Sequence, residues 1–366
     1  RYRAELDVSK LDDSCGPASL TDLDKTTLQP IFSTDFLRDK ADIAWGRGKT
    51  KVAIEAALDL GKVCTGPQQE DICELELELR EGEPAALLEL AIELAAELPL
   101  MPCDISKAER GYRLFDAASY SLSLPAPDLL PEQALDDVFA TLAWHLLGSS
   151  QRLAEQYRFN GHWKLLEQWL QQLTDLRALL SSLGQAAPRA SSHPLREALD
   201  ALLKDWRPLL LAGQQDAQLR QDAPARFAEE LENTRWGHFS LQASLWLLQR
   251  HWVSTRNERG SRQGQAPIGK WLPRLLAAEA ADLQLKRYQQ QPEDLAEQLP
   301  RIERLLAWLR HARQLSALAE VDRLYGELLK LEELAHQPIN AEQLAARAMQ
   351  AHTVTTLRAW RQLSRS

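Results

Sequence analysis

The chain has 366 residues, which is enough for two domains with separate hydrophobic cores. It carries 43 Lys and Arg against 52 Asp and Glu, and the acidic excess lies in residues 1–118, which hold 14 basic and 24 acidic side chains. Nucleic acid is therefore disfavoured as a partner of that part, because phosphate contacts need an excess of Lys and Arg. No apolar run of about 18 residues is present, so we expect no membrane span.

The four cysteines show neither CxxC pairs nor a regular disulfide framework. They are Cys15, Cys64, Cys73 and Cys103. This pattern favours free thiols in a reducing compartment over a disulfide scaffold or a zinc site. No signal peptide is visible, so the sequence predicts a cytoplasmic protein.

Alternating patterns dominate the first 80 residues and predict β-strands. Residues 1–8 alternate charged and apolar side chains, and strands are also predicted at Phe32–Trp45 and Lys51–Asp59. Turns are predicted at Gly46-Arg47-Gly48 and at Gly61–Gly66, since glycine interrupts regular structure.

The stretch Ile72–Leu79 alternates strictly between apolar or thiol residues and glutamates. On a strand, Glu74, Glu76 and Glu78 point to one side, with neighbouring carboxylates roughly 6.5–7 Å apart. Such a row is repulsive unless water, basic side chains or a metal ion offsets the charge. A solvated strand face and an ion-binding face both remain open from this pattern alone.

Helical patterns take over after residue 80. Glu83–Leu98 and a short segment capped by Ser106 are predicted helices, and the Pro-rich residues 124–128 mark a domain boundary. The predicted domains are therefore 1–123 and 124–366. The second is predicted to be all-α, and its length suits two four-helix bundles in series. Its predicted helices are Pro131–Gly148, Arg152–Phe159, His162–Leu183, His193–Leu211, Pro224–Asn233, Ser240–Val253, Ile268–Gln289, Pro292–Ala317, Ala319–His336 and Ala341–Leu363.

Two basic segments of the helical part have simple structural interpretations. The arginine-containing segment Ser254–Pro267 is predicted to be a mobile loop. The second segment is a set of basic residues that we expect to lie on a solvated helix face. Its members are Arg301, Arg304, Arg310, His311 and Arg313.

Four phrases in the N-terminal part, in the expected order, resemble the CYTH family of triphosphate tunnel metalloenzymes. They are Leu28–Arg38, Ile54–Gly61, Ile72–Leu79 and Ser106–Tyr112. The resemblance implies an α+β fold whose N-terminal part is an antiparallel β-barrel, open as a tunnel, with flanking helices. Opening strands of that barrel have no counterpart in this sequence, so a partial barrel is expected. We expect residues upstream of Arg1 to supply those strands rather than another chain, and little activity without them.

The resemblance also implies roles for particular residues. Glu74, Glu76 and Glu5 would bind a divalent metal, Mg²⁺ or Mn²⁺. The substrate-binding residues would be Arg3, Arg38, Lys40 and Lys107. Glu74, Glu76 and Arg38 would form the catalytic set, because the metal and basic groups together offset the charge of a transferring phosphoryl group.

The helical part resembles the CHAD domain, a helical module often joined to CYTH, and this pairing is similar to that of bacterial inorganic triphosphatases. The implied substrate is inorganic triphosphate, with polyphosphate as a further partner of the helical domain. Glu167 and Pro300 stand where that family has histidine. Two alternatives remain open: a related CYTH enzyme, such as an adenylate cyclase or thiamine triphosphatase, and a non-catalytic module that binds polyphosphate or a partner.

Overall fold

A computed structural model describes residues 29–46, 51–118, 121–182, 188–315 and 318–364. Within them an antiparallel three-stranded sheet precedes many helices, which confirms an α+β architecture. The strands β1 (Ser33–Trp45), β2 (Val52–Thr65) and β3 (Gln68–Glu81) are hydrogen-bonded in the order β1-β2-β3. A barrel is not shown by these three strands, and the predicted strand at 1–8 lies outside the described residues.

Strand β2 is longer than the sequence predicted, because Gly61 continues the strand instead of turning it. A Cβ atom at Gly61 would lie 2.2 Å from the Asp35 carbonyl oxygen and 2.4 Å from the Phe36 Cα. Glycine therefore permits a close approach of two strand backbones at this point. The turn instead lies at Gly66, whose φ is +51°.

The two helices that follow the sheet match their predictions within one or two residues at the boundaries. They are α1 (Ala85–Glu97) and α2 (Lys107–Phe115). The Ser106 hydroxyl accepts a hydrogen bond from the Glu109 backbone N–H at 3.1 Å, which satisfies one of the free donors in the first turn of α2. This cap fixes the first residue of the helix, Lys107.

The remaining described residues are mostly helical, as predicted, but several boundaries differ. The helices are α3 (Leu135–Asn160), α4 (Trp163–Ser182), α5 (His193–Gly213), α6 (Ala217–Leu231), α7 (Arg235–Leu248), α8 (His251–Ser254), α9 (Glu258–Gly264), α10 (Ile268–Leu283), α11 (Leu285–Tyr288), α12 (Leu299–Ala312), α13 (Val321–His336), α14 (Ala341–Thr356) and α15 (Arg358–Leu363). Gly148 does not end a helix but lies inside α3, since a single glycine only weakens a helix that tertiary packing stabilises. Pro292–Gln298 forms a 3₁₀ helix before α12.

One continuous hydrophobic core joins these helices, from Leu129 to Leu363. The two separate bundles suggested by the length are therefore not observed as separate cores. Buried tryptophans contribute large contacts, and Trp169 packs edge-on against both Trp206 and Trp236. All three are buried at 1% exposure, so these tryptophans serve in packing.

The prediction of a mobile loop at Ser254–Pro267 is wrong. It contains α9, and the Arg256 guanidinium donates two hydrogen bonds of 2.7 Å to Asp136. Both side chains are buried, at 3% and 4% exposure. A buried, two-pronged ion pair fixes this segment in place.

Contacts between Cα atoms divide the chain into two compact units. Among the described residues, the first, which we call the sheet unit, comprises 29–42, 55–77, 105–118 and 121. The second, which we call the helical unit, comprises 43–46, 51–54, 78–104, 122–182, 188–315 and 318–364. The domain boundary at 123/124 stays a prediction. No helix in the described ranges has both the length and the apolar character needed to cross a membrane.

Candidate functional site

A buried carboxylate, Asp59, lies at the centre of a charged cluster on the sheet. Its side chain has 0% exposure. Arg38 of β1 donates to it through Nε and one terminal nitrogen, both at 2.6 Å. This two-pronged pair fixes the orientation of the Arg38 guanidinium.

Lys107, the first residue of α2, adds a second cation to this cluster. Its Nζ lies 2.8 Å from an Asp59 oxygen, 2.6 Å from Glu74 Oε2 and 2.8 Å from Glu76 Oε1. The Arg38 guanidinium also donates to Glu76 Oε2 at 2.6 Å. We call Arg38, Asp59, Glu74, Glu76 and Lys107 the sheet charge cluster.

Two further arginines of α2 support the cluster from one end. Arg110 lies 2.7 Å from Glu74, and Arg113 donates to both oxygens of Glu70 at 3.0 and 2.9 Å. Both arginine side chains are almost completely buried, at 5% and 0% exposure. They hold the carboxylate strand against α2, because a buried charge without a partner would be costly.

The pKa values in the cluster shift in the direction of full ionisation. The hydrogen bonds from Arg38 are the main cause that lowers the pKa of Asp59 to about 2, against the opposing effect of burial. The same contact is the main cause that raises the pKa of Arg38. Burial acts to lower the pKa of Lys107, but hydrogen bonds to Asp59, Glu74 and Glu76 outweigh it and raise that pKa. All three groups are therefore charged at neutral pH.

The carboxylates of Asp59, Glu74 and Glu76 also have the arrangement of a divalent-metal site. One oxygen from each lies within 4.8 Å of the others. Mg²⁺ and Mn²⁺ prefer oxygen ligands, and Mg²⁺ keeps several waters, so three carboxylates are sufficient. These carboxylates could therefore hold a hard divalent ion in place of the Lys107 ammonium, which contacts all three in this structure.

The predicted site residues are only partly brought together. Arg38, Glu74, Glu76 and Lys107 share one cluster, whereas Lys40 pairs with Glu55 at 2.7 Å. Arg3 and Glu5 lie outside the described residues. Asp59 was not predicted as a site residue, although its alternation with Glu55 along the strand placed both on one face.

The helical unit contains a cavity of about 880 Å³ with an excess of basic lining residues. Among the described residues, four cations of its wall form no ion pair. They are Arg189, Arg196, Lys270 and Arg274. Repulsion from Arg177 and Arg189 adds to burial in lowering the pKa of Arg196, which shows that positive charges are crowded here.

The prediction that Arg310 and His311 lie on a solvated helix face is wrong. Their side chains are 18% and 11% exposed, and both pair with Asp175, which is 1% exposed. The Nε2 atom of His311 lies 2.8 Å from an Asp175 oxygen. These residues stabilise the packing of α12 on α4, so they are not free surface cations.

Comparison with known proteins finds a family match whose range includes every residue of the sheet charge cluster. Residues 2–112 match the sequence model of the CYTH domain. This part of the chain therefore carries a CYTH domain.

One particular relative agrees with that match. The inorganic triphosphatase of Haemophilus influenzae (strain ATCC 51907 / DSM 11121 / KW20 / Rd) is 39% identical over 92 residues. The alignment covers 25% of this chain and 25% of that protein. The matched part thus spans about a quarter of the length of that relative.

Proposed function

We propose that this protein hydrolyses inorganic triphosphate to diphosphate and phosphate in a reaction that depends on a divalent metal. The observation that carries the proposal is the sheet charge cluster, which combines two ionised cations with three carboxylates inside a CYTH domain. The Haemophilus influenzae relative is an inorganic triphosphatase, which supports the same substrate. As part of this proposal the protein is cytoplasmic, in keeping with the free thiols of Cys64 and Cys73.

Arg38 and Lys107 are proposed to bind the phosphate groups. Triphosphate carries about four to five negative charges, and a guanidinium held by a buried carboxylate is already oriented for two-pronged contact with phosphate oxygens. Arg3 and Lys40 are proposed as further phosphate-binding groups. Arg38 and Lys107 are partly exposed, at 34% and 16%, but their charged ends contact carboxylates that an incoming anion would have to displace.

Glu74, Glu76 and Glu5 are proposed to hold the metal, and the geometry adds Asp59 to this set. Mg²⁺ or Mn²⁺ held by these carboxylates would supply charge neutralisation at the leaving phosphate and a site for the attacking water. The carboxylates bring a second benefit, since they keep Arg38 and Lys107 in fixed positions. Such preorganised charges stabilise the transition state without rearrangement during the reaction.

Phosphate release from inorganic triphosphate by the full-length protein, with any residues that precede Arg1, tests the proposal. Glu76→Gln should lower the rate by roughly 100-fold or more, because it removes one carboxylate from the cluster. Glu78→Gln is the matched control, since Glu78 is 62% exposed and pairs with its neighbour Arg80. Equal activity of the two variants, or activity that survives removal of divalent ions by a chelator, would reject the mechanism.

Parallel assays with ATP and thiamine triphosphate separate this function from the related CYTH enzymes. Preference for inorganic triphosphate is expected because the cluster offers charge recognition alone. A higher kcat/KM for ATP, with cyclic AMP as product, or for thiamine triphosphate would favour the alternative enzymes.

Polyphosphate binding by the helical unit is a second proposed function, carried by the four cations of the cavity wall that form no ion pair among the described residues. Retention on a polyphosphate matrix should fall steeply with salt, because binding releases counterions. The double change Arg189→Gln and Arg274→Gln should weaken retention and reduce the salt slope by about two. Arg158→Gln, an exposed residue on α3, is the control. Equal retention of all three proteins would leave the helical unit as a non-catalytic partner-docking module.

A further inference from the structure

We propose that the helical unit contains a binding site for a divalent transition-metal ion, formed by Glu303, Glu332 and His336. This site lies in the other compact unit from the sheet charge cluster. It is therefore independent of the proposed triphosphate chemistry.

The three side chains converge from two packed helices. Glu332 and His336 are four residues apart on α13, which places them on the same helix face, one turn from each other. Glu303 projects from α12. One ligand atom of each residue lies within 4.8 Å of the other two.

The carboxylate of Glu303 is enclosed. The residue is 9% exposed, and its Oε1 atom is shielded from solvent. Arg207 forms an ion pair with this atom at 2.7 Å. That guanidinium balances the charge of Glu303, so the nearby Glu332 carboxylate needs a further cation or a proton.

Glu332 and His336 supply donor atoms that are not engaged elsewhere. Neither side chain has a hydrogen bond or an ion pair within the part of the chain that the structure describes. Two carboxylates at this separation repel each other unless a cation or a proton lies between them. The His336 imidazole lies beside the two carboxylates. It favours a metal ion over a proton, because it offers a third ligand without adding a negative charge.

The donor set indicates the kind of metal. An imidazole nitrogen with two carboxylate oxygens suits Zn²⁺, Mn²⁺ or Fe²⁺, whereas Mg²⁺ and Ca²⁺ prefer oxygen alone. Metal–ligand distances of about 2.0–2.2 Å require ligand atoms roughly 3–3.5 Å apart. Small side-chain rotations therefore suffice to close the observed group around an ion.

Zn²⁺ titration of the chelator-treated full chain tests the site. We expect binding that weakens about 10–100-fold or more in both Glu332→Gln and His336→Gln. The matched controls are Glu333→Gln and His352→Gln, which change exposed neighbours on α13 and α14. Circular dichroism and thermal melts of the metal-free variants verify that each one folds.

A second measurement needs no variant. Zn²⁺ should protect His336 from modification by diethyl pyrocarbonate, mapped by mass spectrometry, while the exposed His352 stays reactive. Zn²⁺ affinity that is unchanged in both variants would locate the ion elsewhere and overturn the proposal. The absence of Zn²⁺ binding or of protection at His336 would also overturn it, and would leave a proton shared between Glu303 and Glu332.

Discussion

Replacing Asp59 with Asn should destabilise the sheet unit by about 2–3 kcal/mol at neutral pH. The pKa of Asp59 is about 2 in the folded chain against an ordinary value of 3.8, a difference that corresponds to roughly 2 kcal/mol of stability. Loss of a hydrogen bond to a charged group costs about 1.5–3 kcal/mol, in agreement with that value. The cost stays at the lower end because Arg38 retains Glu76 as a partner.

The urea dependence of hydrogen exchange in peptides covering β2 measures this change without assuming that the two units unfold together. The contribution of Asp59 is complete above its unfolded-state pKa, and it is lost as the pH falls from about 4 to about 2, because the folded-state pKa is the lower one. Glu55→Gln is the control, since the ion pair of Glu55 with Lys40, whose side chain is 51% exposed, should contribute no more than about 1 kcal/mol. If Asp59→Asn costs no more than Glu55→Gln, the central role assigned to Asp59 is refuted.

Three further substitutions test the packing. Gly61→Ala should destabilise the sheet by about 1–3 kcal/mol, because the new methyl group would meet the Asp35 carbonyl at 2.2 Å; undiminished protection of β2 amides would contradict this. Gly148→Ala should raise the unfolding free energy by about 0.5–1 kcal/mol in denaturant titrations, since the position is helical with open space around it; a loss of stability would be the opposite result. Asp136→Asn should cost about 3–5 kcal/mol by leaving the buried Arg256 without its charge partner, and a change below 1 kcal/mol in the same titrations would disprove that dependence.

The sequence predicted the strands and most helices because their periodicities are strong and local. It was wrong about Gly61 and Gly148 for two different physical reasons. Gly148 lies inside a helix that tertiary packing stabilises, although no neighbouring atom requires a glycine there. In β2 the requirement comes from the backbone of β1, which no local pattern reveals.

The candidate site was predictable only in part. Alternation placed Glu74 and Glu76 on one face, but it could not show which of the acidic residues of β2 would be buried. Asp59 is buried because Arg38 and Lys107 meet it from two other elements. Contacts between residues far apart in sequence decide such positions, and the same holds for Glu303 and His336.

The mutual neutralisation inside the sheet charge cluster has a thermodynamic consequence for its ligands. Arg38 and Lys107 are already occupied by carboxylates, so a lone polyanion must displace those carboxylates and leave them without counter-charge. A dication that takes over Glu74 and Glu76 removes this penalty. The dication and the polyanion should therefore each tighten the binding of the other by the same factor. Their binding to the sheet charge cluster would be positively cooperative.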